Sequence, residues 1–256
     1  MSDFDRNYAT LRGVGTDRAV AYDMGLRAHM IRVYNYMAGG VALTGLVAWL
    51  TYQMAGGDAI QVVGRSIVGL TPFGQAVFGS PLVWLIALAP LGFVFFISYR
   101  IGQMEASTAR AWFFAFAAIL GLSLATIFLA FTTTSITRVF FISAASFGAL
   151  SLYGYTTQRN LSAMGSFLMM GVVGLVIAML VNMFLVSSAL QWAISVIGVL
   201  VFAGLTAYDT QTIKEYYDPM DDGTVAGRKA VMGALRLYLD FINMFQFLLQ
   251  RFGDRR

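Results

Sequence analysis

Seven stretches of this chain meet or approach the roughly 20 predominantly apolar residues that a helix needs to cross a bilayer, and few folds accommodate such a pattern. They lie near residues 33–54, 81–99, 111–131, 136–156, 163–187, 189–210 and 234–250. The predicted fold is all-α, a polytopic membrane protein of seven transmembrane helices. Composition agrees: 58% of residues are hydrophobic and 12% charged, whereas soluble domains carry about 25% charged residues. The chain has no cysteine, which excludes disulfide frameworks, thiol nucleophiles and cysteine metal sites together.

Two loops are long, at about 55–80 and 211–233, and both read as solvent-exposed. The other connections are tight, through Thr132, Thr133, Thr134 and Ser135 and through Ser187 and Ser188. No internal repeat or linker marks a second domain, so the division is a polar tail over 1–29 and a membrane domain over 30–256. The tail has no apolar core before a small-residue cleavage site, so no cleaved signal peptide is expected. Residues 16–34 fit an interfacial helix and a solvated tail equally well.

The net charge of +4 comes largely from basic residues that flank apolar runs, so they read as topology signals and not as a nucleic-acid surface. A cytoplasmic N-terminus puts Arg6, Arg12, Arg18, Arg27, Arg32, Arg100, Arg110, Arg159, Lys214, Arg228, Lys229 and Arg236 inside. Only Arg65, Arg138, Arg251, Arg255 and Arg256 fall outside. The basic C-terminus fits this scheme poorly unless the seventh segment is re-entrant, and both arrangements stand.

Against this apolar background Asp209 and Asp240 lie in or at the edge of the last two segments. An ionisable group at membrane depth costs about 2.5–3.5 kcal/mol on insertion scales, which marks the two as functional candidates. Asp240, Asn243, Gln246 and Gln250 recur at helical spacing, so one face of the seventh segment is polar. Such a stripe faces a bundle interior or a water-filled path; its amides serve equally well as interhelical glue. Arg100, at the end of the second segment, either pairs with one aspartate or sets topology by snorkelling to headgroups.

Enzyme readings fail on the residues, so the chain is read as not an enzyme. Tyr208 and Asp209 resemble half of an intramembrane aspartyl protease signature, but Asp240 follows Leu237, Tyr238 and Leu239 where that signature needs Gly-x-Gly. A serine protease at Gly165 and Ser166 lacks an intramembrane base, since the one histidine, His29, belongs to the tail. The loop sequence DPMDDG sets Asp218, Asp222 and Gly223 in a partial calcium-loop pattern. Met220 and Lys229 then occupy ligand positions, so the loop reads as a solvated acidic turn. The methionines of the fifth segment read as adaptable packing.

The strings GLTAYDTQ and LYLDFINMF, with seven spans and a polar tail, resemble the Bax inhibitor-1 family and its bacterial inner-membrane branch. The resemblance covers about residues 25–252. It implies a bundle with the seventh helix central, a multi-pass protein of the bacterial inner membrane, and a pH-sensitive calcium leak gated by an aspartate pair, here Asp209 and Asp240. It also implies an arginine latch at the position of Arg100. The second segment reads LIALAPLGFVFF and has no acidic residue, unlike some members. A rival implication is regulation: some bacterial relatives are associated with an AAA membrane protease and eukaryotic ones with suppression of cell death. A proton-coupled transporter is the third reading.

The chemistry of the pair follows from elementary electrostatics. Two carboxylates in contact cannot both ionise cheaply, so they share a proton and titrate as one unit. Proton loss leaves charge to be balanced by Arg100 or a cation. Calcium takes six to eight oxygens; the two carboxylates with Asn243, Tyr208 and water would make a weak, exchangeable site. No resident cofactor is expected, calcium being the permeant ion and the bilayer, calcium, protons and a membrane protease the expected partners.

Overall fold

The computed structural model describes residues 3–63 and 66–256, and the side chains of residues 22–61, 67–97 and 99–256. Arg65 lies outside the described residues, as do the side chains of Arg6, Arg12 and Arg18, so their expected part in topology has no structural counterpart here. The elements in order are α1 (Asp3–Ala55), β1 (Gln61–Val63), β2 (Ser66–Val68), α2 (Pro72–Phe78), α3 (Leu82–Arg100), α4 (Ala106–Leu124), α5 (Ile127–Ala130), α6 (Thr133–Thr156), α7 (Ser162–Leu185), α8 (Ser188–Glu215) and α9 (Gly223–Phe252).

Among the described residues five helical stretches are long and apolar enough to cross a membrane: Tyr22–Ala55, Ala106–Ala130, α6, α7 and α8. The pair α2 and α3, bent by 58°, would make a sixth. The expected count of seven includes α9, whose apolarity Arg228, Lys229, Arg236 and Asp240 dilute. Instead α9 packs on α8, α1, α6 and α4, and more than half its residues are buried. A helix surrounded by protein does not need lipid-compatible side chains all round. It runs unbroken for 30 residues, about 45 Å, and does not turn back. After Gly253 the chain bridges Phe131 through Arg255, and the Arg256 guanidinium donates to the Tyr52 hydroxyl at 2.7 Å. The C-terminus is thereby clipped to the far end of α1.

Helix boundaries follow caps more closely than hydropathy. Thr71, Thr132 and Ser187 accept the first free N–H groups of α2, α6 and α8, and the Asp222 carboxylate accepts two from α9. Such caps replace the hydrogen bonds that a helix start lacks. The expected 211–233 loop shrinks to the seven residues between α8 and α9, because both helices continue as polar turns beyond their apolar runs. The 55–80 loop is an antiparallel hairpin followed by α2. Between α7 and α8 only Val186 and Ser187 intervene, with Val186 left-handed at φ 49°.

The expected tail boundary at residue 29 has no break in the backbone, since α1 passes through it. Leu26 and His29 are buried, and the His29 ring lies 5.7 Å from that of Tyr217 at the end of α8. The core proper runs along α9. Tyr238, wholly buried, meets Phe113 and Phe116 of α4 edge-on, while Phe241 meets Phe140 and Phe147 of α6. Close approach to α8 relies on small residues: any Cβ at Gly154 would strike the Ala207 backbone, and one at Gly198 the Phe247 ring, the packing favoured between membrane helices.

Candidate functional site

Antiparallel packing of α8 on α9 sets Asp209 beside the turn of α9 that carries Arg236 and Asp240. Asp240 is 4% exposed and the Asp209 side chain 14%, and the two carboxyl groups stand close enough to influence one another's ionisation. Two neighbouring carboxylates cannot both ionise cheaply. Asp240 Oδ2 has no hydrogen-bond partner, although an orphaned buried acceptor costs about 1–3 kcal/mol. The pair is therefore a costly feature of an otherwise well-satisfied interior.

The guanidinium at this site belongs to Arg236. Its Nη1 stands 3.7 Å from Asp209 Oδ1, and its Cζ lies 6.0 Å from the centroid of the Tyr216 ring. Arg236 and Asp240 are one helical turn apart, so a single face of α9 supplies both the counter-charge and one of the acids. Sequence inspection assigned Arg236 to topology; its i, i+4 spacing from Asp240 was the available signal. Arg100 is not at the pair. It is exposed at the end of α3, and no carboxylate among the described residues lies within 4.0 Å of it.

The remaining expected members point elsewhere. Asn243 Nδ2 donates to Leu239 O of its own helix at 2.8 Å, and the Tyr208 ring covers Gly165 of α7. Gln250, at the far end of the stripe, accepts from Gln191 of α8 at 3.1 Å, which is interhelical bonding of the ordinary kind. Among the described residues no three His, Asp or Glu side chains converge to hold a metal ion. For calcium the structure brings together two carboxylates, leaving the rest of its shell to water or backbone. The acidic loop is engaged in structure: Asp222 caps α9, Asp218 accepts from Met220 N, and Asp221 pairs with Lys229 at 2.5 Å.

Two buried hydroxyl chains brace the helices around the pair. Thr210, adjacent to Asp209, donates to Thr206 O at 2.7 Å, so the Ser151 hydroxyl donates to Thr210 at 3.0 Å and Tyr34 to Ser151 at 2.7 Å. Each hydroxyl has one proton, and that fixes the direction of the chain from α1 through α6 to α8. The second links Tyr238 to Thr44 at 2.6 Å and Thr44 to Ala117 O at 2.8 Å, joining α9, α1 and α4. Hydropathy carries no trace of either chain, since isolated Thr, Ser and Tyr residues sit comfortably in an apolar run.

Comparison with known proteins extends the same picture over the whole chain. The sequence profile of a family described as "Inhibitor of apoptosis-promoting Bax1" matches residues 26–256. An inner membrane protein of Escherichia coli, YbhL, is 42% identical over 94% of this chain and 97% of its own. An uncharacterized protein of Rickettsia prowazekii is 41% identical and one of Caulobacter vibrioides 42%, each over the full length of both chains. With the profile covering nearly all of the helical region and the relatives matching end to end, the chain belongs to the Bax inhibitor-1 family.

Proposed function

We propose that this protein is a pH-sensitive calcium leak pathway of a bacterial inner membrane, in which α9 is a seventh, central span and Asp209 and Asp240 form the proton-sensing gate. The observation that carries this reading is the Asp240 carboxyl group, buried against Asp209 with Oδ2 unpartnered. A merely structural pair would be cheaper as two amides or as packed apolar residues. With a proton shared between them the acids carry one negative charge, and the Arg236 guanidinium balances it. Loss of that proton leaves two charges facing one guanidinium. The excess draws a cation, so proton release and calcium entry are linked equilibria.

On this reading the protein acts as a pathway and not as an enzyme, and it needs no resident cofactor. With the N-terminus in the cytoplasm, Asp209, Arg236 and Asp240 stand near the cytosolic mouth and the clipped C-terminus lies on the other side. The length of α9 and the tie between Arg256 and Tyr52 support a full crossing. Arg100 remains a latch candidate only for a conformation in which α3 swings toward the pair; in the resting arrangement Arg236 fills that part.

Calcium flux into proteoliposomes across a pH series tests the reading. Flux should fall as protons are added, and Asp240→Asn or Asp209→Asn should remove that dependence. A wild-type protein without calcium flux at any pH would return the pair to a proton-coupled transporter or to a structural part in a regulator.

A further inference from the structure

Beyond the carboxylate pair, a cleft of about 710 Å³ opens between α1 and α6, with Phe241 of α9 as its floor. A second cavity of about 360 Å³ shares Val41, Phe140 and Phe241 with it and continues to Ala48. Along α1 the seam thus extends from Arg27 to Ala48, about 32 Å at the helical rise, which matches the roughly 30 Å of bilayer hydrocarbon. Its cause is a lack of side-chain volume. Gly45 on one wall and Gly148 on the other are so placed that an added Cβ would meet no atom within 4 Å.

The walls are apolar apart from the Tyr155 hydroxyl, and Tyr34 and Ser151 bond to each other across the back of the cleft. A charged group stands at one end. Arg27 lines the cleft, is exposed, and has no carboxylate within 4.0 Å among the described residues. The cleft follows α1 over the 15-residue rise from Arg27 to Ala42, about 22 Å, a length that suits an extended acyl chain.

We propose that the α1–α6 seam binds one acyl chain of an anionic phospholipid, with the Arg27 guanidinium taking the lipid phosphate. An apolar cleft ending at an exposed guanidinium with no carboxylate beside it among the described residues complements such a lipid in both shape and charge. The chain lies against Phe147 and Phe241 and wedges α1 from α6 on the face where Tyr34 reaches the hydroxyl chain that ends beside Asp209. The site stands whether or not the protein conducts ions.

The test is thermal unfolding of the purified full-length protein in detergent with added phosphatidylglycerol, phosphatidylcholine or inorganic phosphate, together with native mass spectrometry of retained lipid. The expected result is a larger rise in Tm and tighter retention with phosphatidylglycerol than with phosphatidylcholine, and no effect of inorganic phosphate. Gly148→Leu fills the cleft and should abolish retention of both lipids, with Ala38→Leu on the α1 wall repeating this should the first variant fail to fold. Arg27→Gln should erase the difference between the two lipids. Gly174→Leu on α7, where an added side chain also meets open space, should leave both responses intact. Unchanged lipid retention in Gly148→Leu and Ala38→Leu, or equal response to the two lipids in the wild type, overturns the proposal. Conversion of a dimer to a monomer by these substitutions, with lipid retention intact, assigns the seam to a second copy instead.

Discussion

Arg236 and Asp209 face each other across the α8–α9 interface at 3.7 Å, one turn of α9 before Asp240. That spacing is long for an ion pair and the guanidinium is 41% exposed, so the attraction is worth at most about 1 kcal/mol. It is nevertheless the charge that holds the singly ionised pair. Removing this cation makes loss of the shared proton costlier, so Arg236→Gln should lower the leak at a given pH about fivefold, the factor that 1 kcal/mol confers on a two-state equilibrium. Arg100→Gln should leave the resting leak unchanged. Calcium flux at one pH in the two variants checks both, and equal effects would restore Arg100 to the pair.

Protons and calcium compete for the same carboxylates in this account. Lowering the pH should therefore raise the calcium concentration needed for half-maximal flux, and adding calcium should release protons from the protein. Simultaneous pH and calcium recording with purified protein measures that release. Calcium transport without any proton release would dissociate the ion path from the pair.

The Tyr238–Thr44 bond yields an asymmetric prediction. Tyr238→Phe removes one hydroxyl and leaves Thr44 still donating to Ala117 O, which should cost about 1 kcal/mol. Thr44→Val strands the Tyr238 hydroxyl in a wholly buried position and should cost about 1–3 kcal/mol. Thermal unfolding in detergent ranks the two, and the reverse order would show that the Tyr238 hydroxyl finds another acceptor.

Val186 turns the chain between α7 and α8 in a left-handed conformation at φ 49°, with its side chain largely exposed. A β-carbon there costs roughly 1–2 kcal/mol, and glycine bears no such cost. Val186→Gly should raise Tm, because relief of the strain exceeds the extra entropy that glycine gives the unfolded chain. A lowered Tm would mean that the Val186 side chain has stabilising contacts of its own.

Much of the architecture was legible in the sequence because hydropathy reports what touches lipid. The runs that became α6, α7 and α8 are of this kind, and so is Asp240, whose cost in an apolar run is visible without coordinates. Helix ends were not legible: α8 continues to Glu215 and α9 begins at Gly223 because caps and polar turns, not lipid, decide where these helices stop. The same reason makes α9 the most polar of the seven expected spans, since its partners are four other helices. Arg236 was missed because a basic residue near the end of a span resembles a topology charge until its neighbour across the interface is known. The hydroxyl chains depend on partners 59 to 194 residues away, a distance at which a local pattern is silent.

The central claim is that Asp240 makes calcium passage sensitive to protons. Calcium flux into proteoliposomes, recorded from acid to alkaline pH with wild type and Asp240→Asn side by side, addresses it most directly. The account predicts a wild-type flux that falls as the pH is lowered and a variant whose flux no longer changes with pH. A variant that retained the wild-type pH profile would contradict it.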